Sequence, residues 1–147
     1  MQKTNSSKSA SKYDFFVSGR WRNRDNVLKL TGDIRKKGFS VYCFLEAQHS
    51  IHRITNNPEE DMKQFEKLDW RKDIYIKQVF ETDMEGERSS GTFVMLLPAG
   101  KSCHIEAGAA YGMGIKCILI GEQKEAESLY LIFDEAYAST KEFLENI

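Results

Sequence analysis

The sequence predicts an α/β domain of three layers, with a five-stranded parallel sheet between helices. Three observations predict it. Short runs rich in aromatic and β-branched residues (YDFFVS, FSVYCFL, TFVMLL, CILI) alternate with segments of helical period. The first strand, helix and strand fit into residues 13–45, the size of a crossover unit, and a crossover makes the sheet parallel. A composition of 41% hydrophobic and 29% charged residues over 147 positions is that of one globular domain, and no internal repeat interrupts it.

Residues 1–12 (MQKTNSSKSASK) are polar, without apolar period, and read as a disordered arm. The domain then spans 13–147. Tyr13–Ser18 reads as the first strand, stopped by Gly19. Val27, Leu30 and Ile34 fall on one helical face, in a helix ending at Gly38. Phe39–Leu45 reads as the second strand. Residues 46–71 are polar, with a short helix expected near Glu59–Lys67 and a mobile loop before it. Helical period returns at Asp73, with Ile76, Val79 and Phe80 forming the apolar face. Thr92–Leu97 is the third strand, Pro98–Ser102 a tight turn, and Cys103–Gly114 a helix of small residues. Cys117–Ile120 is the fourth strand, Leu129–Phe133 the fifth and Ser139–Asn146 the last helix. The strand order expected is 2-1-3-4-5, a flavodoxin-like sandwich.

Composition also excludes functions. Twenty-one basic and 22 acidic residues leave a net charge of −1, whereas binding nucleic-acid polymers through phosphates needs a basic surface. No run of about 18 apolar residues exists, so no membrane span is expected. The first residues lack an apolar signal core, and three cysteines without a CxxC spacing read as reduced thiols. A cytoplasmic protein is the expectation. His49, His52 and His104 show no metal-ligand pattern, and no cofactor is implied. PAGKS lacks the upstream glycine of a Walker A loop, although a Gly-Lys-Ser turn into a helix can hold one phosphate.

In the order 2-1-3-4-5 ligands bind at the switch between strands one and three. Ser18, Gly19, Arg20 and Trp21 follow strand one, and Pro98 to Glu106 follow strand three. Both segments converge there. Glu106 lies in the opening turns of its helix; with Ser102 as the cap it sits one position beyond the capping-box site and is not needed as a cap. It is either a carboxylate favoured by the helix dipole or a functional group. Asp83 puts a charge on an apolar helix face, for an arginine partner or for a ligand. Trp21 can stack on a base and Arg20 can bond an anion, or both can serve ordinary packing. Gly108 and Gly112, and likewise Ala110 and Gly114, are four apart. That spacing fits close packing on the sheet better than a partner subunit or ligand.

These residues resemble a known family. FFVSGRW, then Asp83 before a strand, then VMLLPAGKSCHIEAGAAYGMGIKCILIG is similar to the nucleoside 2-deoxyribosyltransferases and the related 2′-deoxynucleoside 5′-phosphate N-hydrolases, over about Tyr13–Phe133. The resemblance implies a flavodoxin-like fold and a Glu nucleophile, here Glu106, that attacks the anomeric carbon and displaces the base. The sugar then passes to another base or to water. It implies that Asp83 contacts or protonates the leaving base and that Ser18–Trp21 line the base and sugar pocket. It implies a homodimer or larger assembly with sites near the interface. An acidic residue or a Ser stands in the family where this chain has Gly100, and a strand-one Tyr where it has Phe16. Lys101 and Ser102 crowd that turn and hint at an anionic 5′-substituent. Two other readings stay open at this point: a non-catalytic nucleotide-binding or signalling module, and an NAD glycohydrolase.

Overall fold

The computed structural model describes residues 11–47 and 55–147. Five strands, β1 (Tyr13–Ser18), β2 (Val41–Cys43), β3 (Ser90–Leu96), β4 (Lys116–Ile120) and β5 (Glu135–Tyr137), form one sheet in the order β2-β1-β3-β4-β5. Every pair is parallel, with Phe16 opposite both Tyr42 and Phe93. The expected topology is therefore observed. The helices are α1 (Arg24–Lys36), α2 (Pro58–Glu66), α3 (Ile74–Arg88), α4 (Lys101–Gly112) and α5 (Thr140–Glu145).

Alternation along the strands divides the core in two. Phe15, Val17, Val94, Leu96, Ile118 and Ile120 face α1 and α5, where Val27, Leu30, Ile34 and Phe143 meet them. Phe16, Tyr42, Phe93, Met95, Cys117 and Leu119 face the other way, onto Cys103, Ala107 and Ala110 of α4. Each large side chain among these contributes about 1.5–3 kcal/mol by burial. The three cysteines are free and buried.

Local chemistry sets the helix starts. Asn57 accepts from the Glu59 and Glu60 N–H groups and Pro58 occupies the first turn of α2, while Asp73 accepts from Tyr75 and Ile76 to open α3. Ser139 caps α5 through the Glu142 N–H.

Several expectations need correction. The apolar run Leu129–Phe133 is no strand. The Glu127 carboxylate accepts the Leu129 N–H, and Ser128–Ile132 wind into a 3₁₀ turn, with Leu129 and Leu131 pointing to solvent. The fifth strand forms instead at Glu135–Tyr137. The second strand is shorter than Phe39–Leu45, because the chain turns at Phe44. The helix after β3 begins at Lys101 with Gly100 as its cap, two residues earlier than expected, so Ser102 is not the cap. On α3 the buried side is set by Tyr75, Gly86 and Glu87, and Phe80 is exposed. The small residues of α4 do not all pack on the sheet. Ala107 and Ala110 do, but a Cβ at Gly108, Gly112 or Gly114 would meet nothing within 4 Å. The arm over residues 1–12, apart from Ser11 and Lys12, lies outside the described residues, as do His49, His52 and part of the loop expected before α2.

Candidate active site

The carboxyl ends of β1 and β3 open onto a cleft of about 510 Å³, within the range of small-ligand sites. Gly19, Arg20 and Trp21 come to it from β1. Gly100, Lys101, Ser102, Cys103 and Glu106 come from the start of α4. Asp83, Tyr75 and Val79 come from α3, and Phe44, Asp61, Met62 and Phe65 close the remaining side. The cleft brings together Gly19, Arg20, Trp21, Gly100, Lys101, Ser102 and Glu106 from the two segments at the switch point, and Asp83, which the switch-point argument did not include. Ser18 alone is not on the wall, being fully buried behind it.

Local sequence explains the approach. Gly19 lets α1 pack directly on the loop backbone, since a Cβ there would fall 2.4 Å from Val27 Cγ2. Arg20 lies against the Gly100 turn, its Cγ and Nε 3.8 and 4.0 Å from where a Cβ would stand, an ordinary contact that does not itself require the glycine. His104, one turn into α4, bonds the Gly100 carbonyl through Nδ1 at 2.7 Å, and its Nε2 pairs with the Tyr130 hydroxyl at 2.7 Å. A carbonyl only accepts, so Nδ1 carries the proton, and His104 fixes the turn rather than serving as a ligand.

Glu106 is the centre of the cleft. The Ser18 hydroxyl donates to its Oε2 at 2.6 Å. Among the described residues no hydrogen bond reaches Oε1. Burial pushes the carboxyl up to about 7, the Ser18 bond pulls it down, and the Asp83 charge across the cleft raises it again. At neutral pH it is therefore divided between acid and anion, a state suited to a group that gains and loses charge. Asp83 accepts from the Tyr42 hydroxyl at 2.8 Å. Phe16, at the position of the strand-one Tyr implied by the resemblance, is sandwiched between Tyr42 and Phe93 at 5.3 and 5.7 Å, and Ser18 is the group that holds Glu106.

Sequence reasoning expected α2 but gave it no part in the site. Its Asp61 accepts from Trp21 Nε1 (3.1 Å), Arg24 Nη1 (2.9 Å), the Thr55 N–H (2.8 Å) and the Thr55 hydroxyl (2.7 Å). Burial opposes its ionisation, but these bonds, Thr55's foremost, hold it below the ordinary carboxylate range. Arg22 adds ion pairs to Glu59 and Glu66. Trp21 is thus committed through its N–H, and its indole is held 6.5 Å from the Phe44 ring. The signal was present as complementary charge: Arg20, Arg22 and Arg24 alternate in one segment, and Glu59, Asp61 and Glu66 occupy the other.

Among the described residues no group of three or more His, Cys, Asp or Glu could hold a metal ion, and no helix is long and apolar enough to cross a membrane.

Solved structures share this fold. In particular, the chain resembles a 2-deoxyribosyltransferase from Bacillus psychrosaccharolyticus, with a TM-score of 0.64 over 89% of this chain and 90% of that one, at 13% identity. It also resembles a CMP N-glycosidase from Clostridium botulinum, with a TM-score of 0.50 over 90% and 96% of the two chains, at 19% identity. At these identities the likeness is one of fold. No family model and no curated protein matches the sequence itself.

Proposed function

We propose that the protein cleaves the N-glycosidic bond of a nucleoside or its 5′-monophosphate, with Glu106 as nucleophile. The observation that carries this reading is the Ser18–Glu106 hydrogen bond inside the cleft, which fixes one carboxylate oxygen and leaves the other for a substrate. A carboxylate beside an anomeric carbon stabilises the oxocarbenium-like transition state and then bonds to it. The C1′–Oε1 bond forms as the C1′–N bond breaks, and the electron pair leaves on the base, which Asp83 contacts or protonates. Water or a second base then attacks C1′ and releases the Glu106 carboxylate. Phe44, Met62 and Phe65 offer an apolar wall on which a base can lie.

The 5′ end favours an anion. The N–H groups of the first α4 turn are uncapped by any side chain, and Lys101 and Arg20 stand beside them. The test is release of free base from a panel of deoxynucleosides, their 5′-monophosphates and NAD, with and without an acceptor base. The 5′-monophosphates are expected to be the better substrates. Lys101→Ala should then lower kcat/KM for them about tenfold, by loss of one charge-assisted bond, and leave the nucleosides unchanged. Equal losses on both classes would remove Lys101 from phosphate recognition. Binding of a panel member without any base release would point instead to a non-catalytic module.

On the same reading the outer face of α4 seats a second copy. Ile105 is exposed, and the open Gly108 and Gly112 lie one and two turns further on, permitting close backbone approach. A dimer in sedimentation equilibrium that Gly108→Arg converts to monomer is the expected result; a monomeric wild type would refute it.

A further inference from the structure

We propose that Tyr42 is a positioning residue that holds the Asp83 carboxylate toward the cleft, and that Gly86 is the gap in α3 through which it reaches. The inference rests on the reading of Asp83 as the base-side group. Tyr42 is the middle residue of β2 and is 8% exposed. Its ring is stacked on Phe16 at 5.3 Å and 10°, and meets Tyr13 edge-on at 5.5 Å. Its third side is the backbone of α3: a Cβ at Gly86 would fall 2.5–2.6 Å from three ring atoms. A glycine inside a helix costs about 1 kcal/mol against alanine, so this one needs a reason, and contact with the ring supplies it. Held on three sides, the ring can deliver its hydroxyl to one place. That place is Asp83 Oδ1, at 2.8 Å, one turn before Gly86.

The surroundings make the bond consequential. Asp83 feels Glu106 across on α4, Glu87 on its own helix and Tyr75 one face along. Both carboxyl neighbours feel the Asp83 charge, so the place where Tyr42 holds that carboxylate matters to each of them. Burial, followed by the Asp83 charge, pushes the Tyr42 hydroxyl far up, so it stays a donor throughout the working range.

The test uses Tyr42→Phe, which keeps the ring and its packing, and Gly86→Ala, which displaces it. The carboxyl carbon of Asp83 is titrated by NMR in each protein, and base release is measured alongside. In Tyr42→Phe the Asp83 midpoint is expected to rise by about one pH unit, the effect of one hydrogen bond to a carboxylate. Where base is released, kcat should fall about tenfold with KM unchanged. Gly86→Ala should show the same shift in a less stable protein. An unchanged Asp83 midpoint in folded Tyr42→Phe overturns the proposal, even if Glu106→Ala is inactive and the glycosidic reading stands. A wild type that releases no base removes that reading, while the titration still decides whether Tyr42 holds Asp83.

Discussion

Glu106→Ala is expected to lose base release by at least about 10³-fold, with substrate binding retained. On the proposed mechanism the loss is large because the side chain would do two things that nothing nearby can replace: stabilise positive charge at C1′ and then form the bond. Ser18 cannot substitute, since its hydroxyl is buried and already donates to Oε2. The wild-type rate should also depend on pH in a fixed direction. In the proposed mechanism the attacking form is the anion, and burial pushes the carboxyl up to about 7. Activity should therefore rise through pH 7 as the proton leaves. Ser18→Ala removes the bond that favours the anion and should move this rise to higher pH. A pH profile flat between 5 and 8 in the wild type, or turnover surviving in Glu106→Ala, would take the nucleophile elsewhere.

The second large effect concerns stability. Glu87, on α3 behind the cleft, is completely buried, and neither carboxyl oxygen makes a well-formed hydrogen bond among the described residues, the Ala110 backbone N–H on α4 giving its anion only weak support. Burial, with the Glu106 charge adding to it, pushes the group up from 4.5 to about 8. The folded chain therefore keeps a proton that the unfolded chain has released between about pH 4.5 and 8. Stability falls across that window by about 1.4 kcal/mol per pH unit and levels off above it. Glu106 adds to the fall, with its own contribution ending at about 7. The Glu87 window alone is worth on the order of 5 kcal/mol, comparable to the whole stability of a marginal domain. Glu87→Gln fixes the group in a neutral form. Its amide imposes some cost of its own, but at every pH alike. Urea unfolding at pH 5 and pH 8 should show a much shallower decline in the variant than in the wild type. Parallel declines would mean that Glu87 is paired after all.

The strand order was legible because β1 to β4 carry dense apolar runs and a helix separates each of the first three from the next strand. The convergence of Arg20, Trp21, Lys101 and Glu106 followed from the order alone. Two things were less legible. Leu129–Phe133 has the residue types of a buried strand, but it winds into a turn that exposes Leu129 and Leu131 while Ile132 and Phe133 pack on the core, and the Glu127 carboxylate caps its start. Tyr42 and Asp61 reach the cleft by contacts between segments 41 and 40 residues apart, to Asp83 and Trp21. No periodicity records such pairings. Gly86 was equally silent, since its meaning lies in the ring placed against it.

No residue of α2 is buried, yet the helix forms one side of the cleft. Its attachment is by carboxylates to the arginines and indole after β1, and the hydrophobic core ends before reaching it. The wall that α2 gives the cleft is thus separable from the part of the molecule that keeps it folded. Mutations along Met62 and Phe65 can reshape what the cleft accepts while leaving the sheet and its two apolar cores as they are. A scaffold built this way can diversify its substrates without spending its stability.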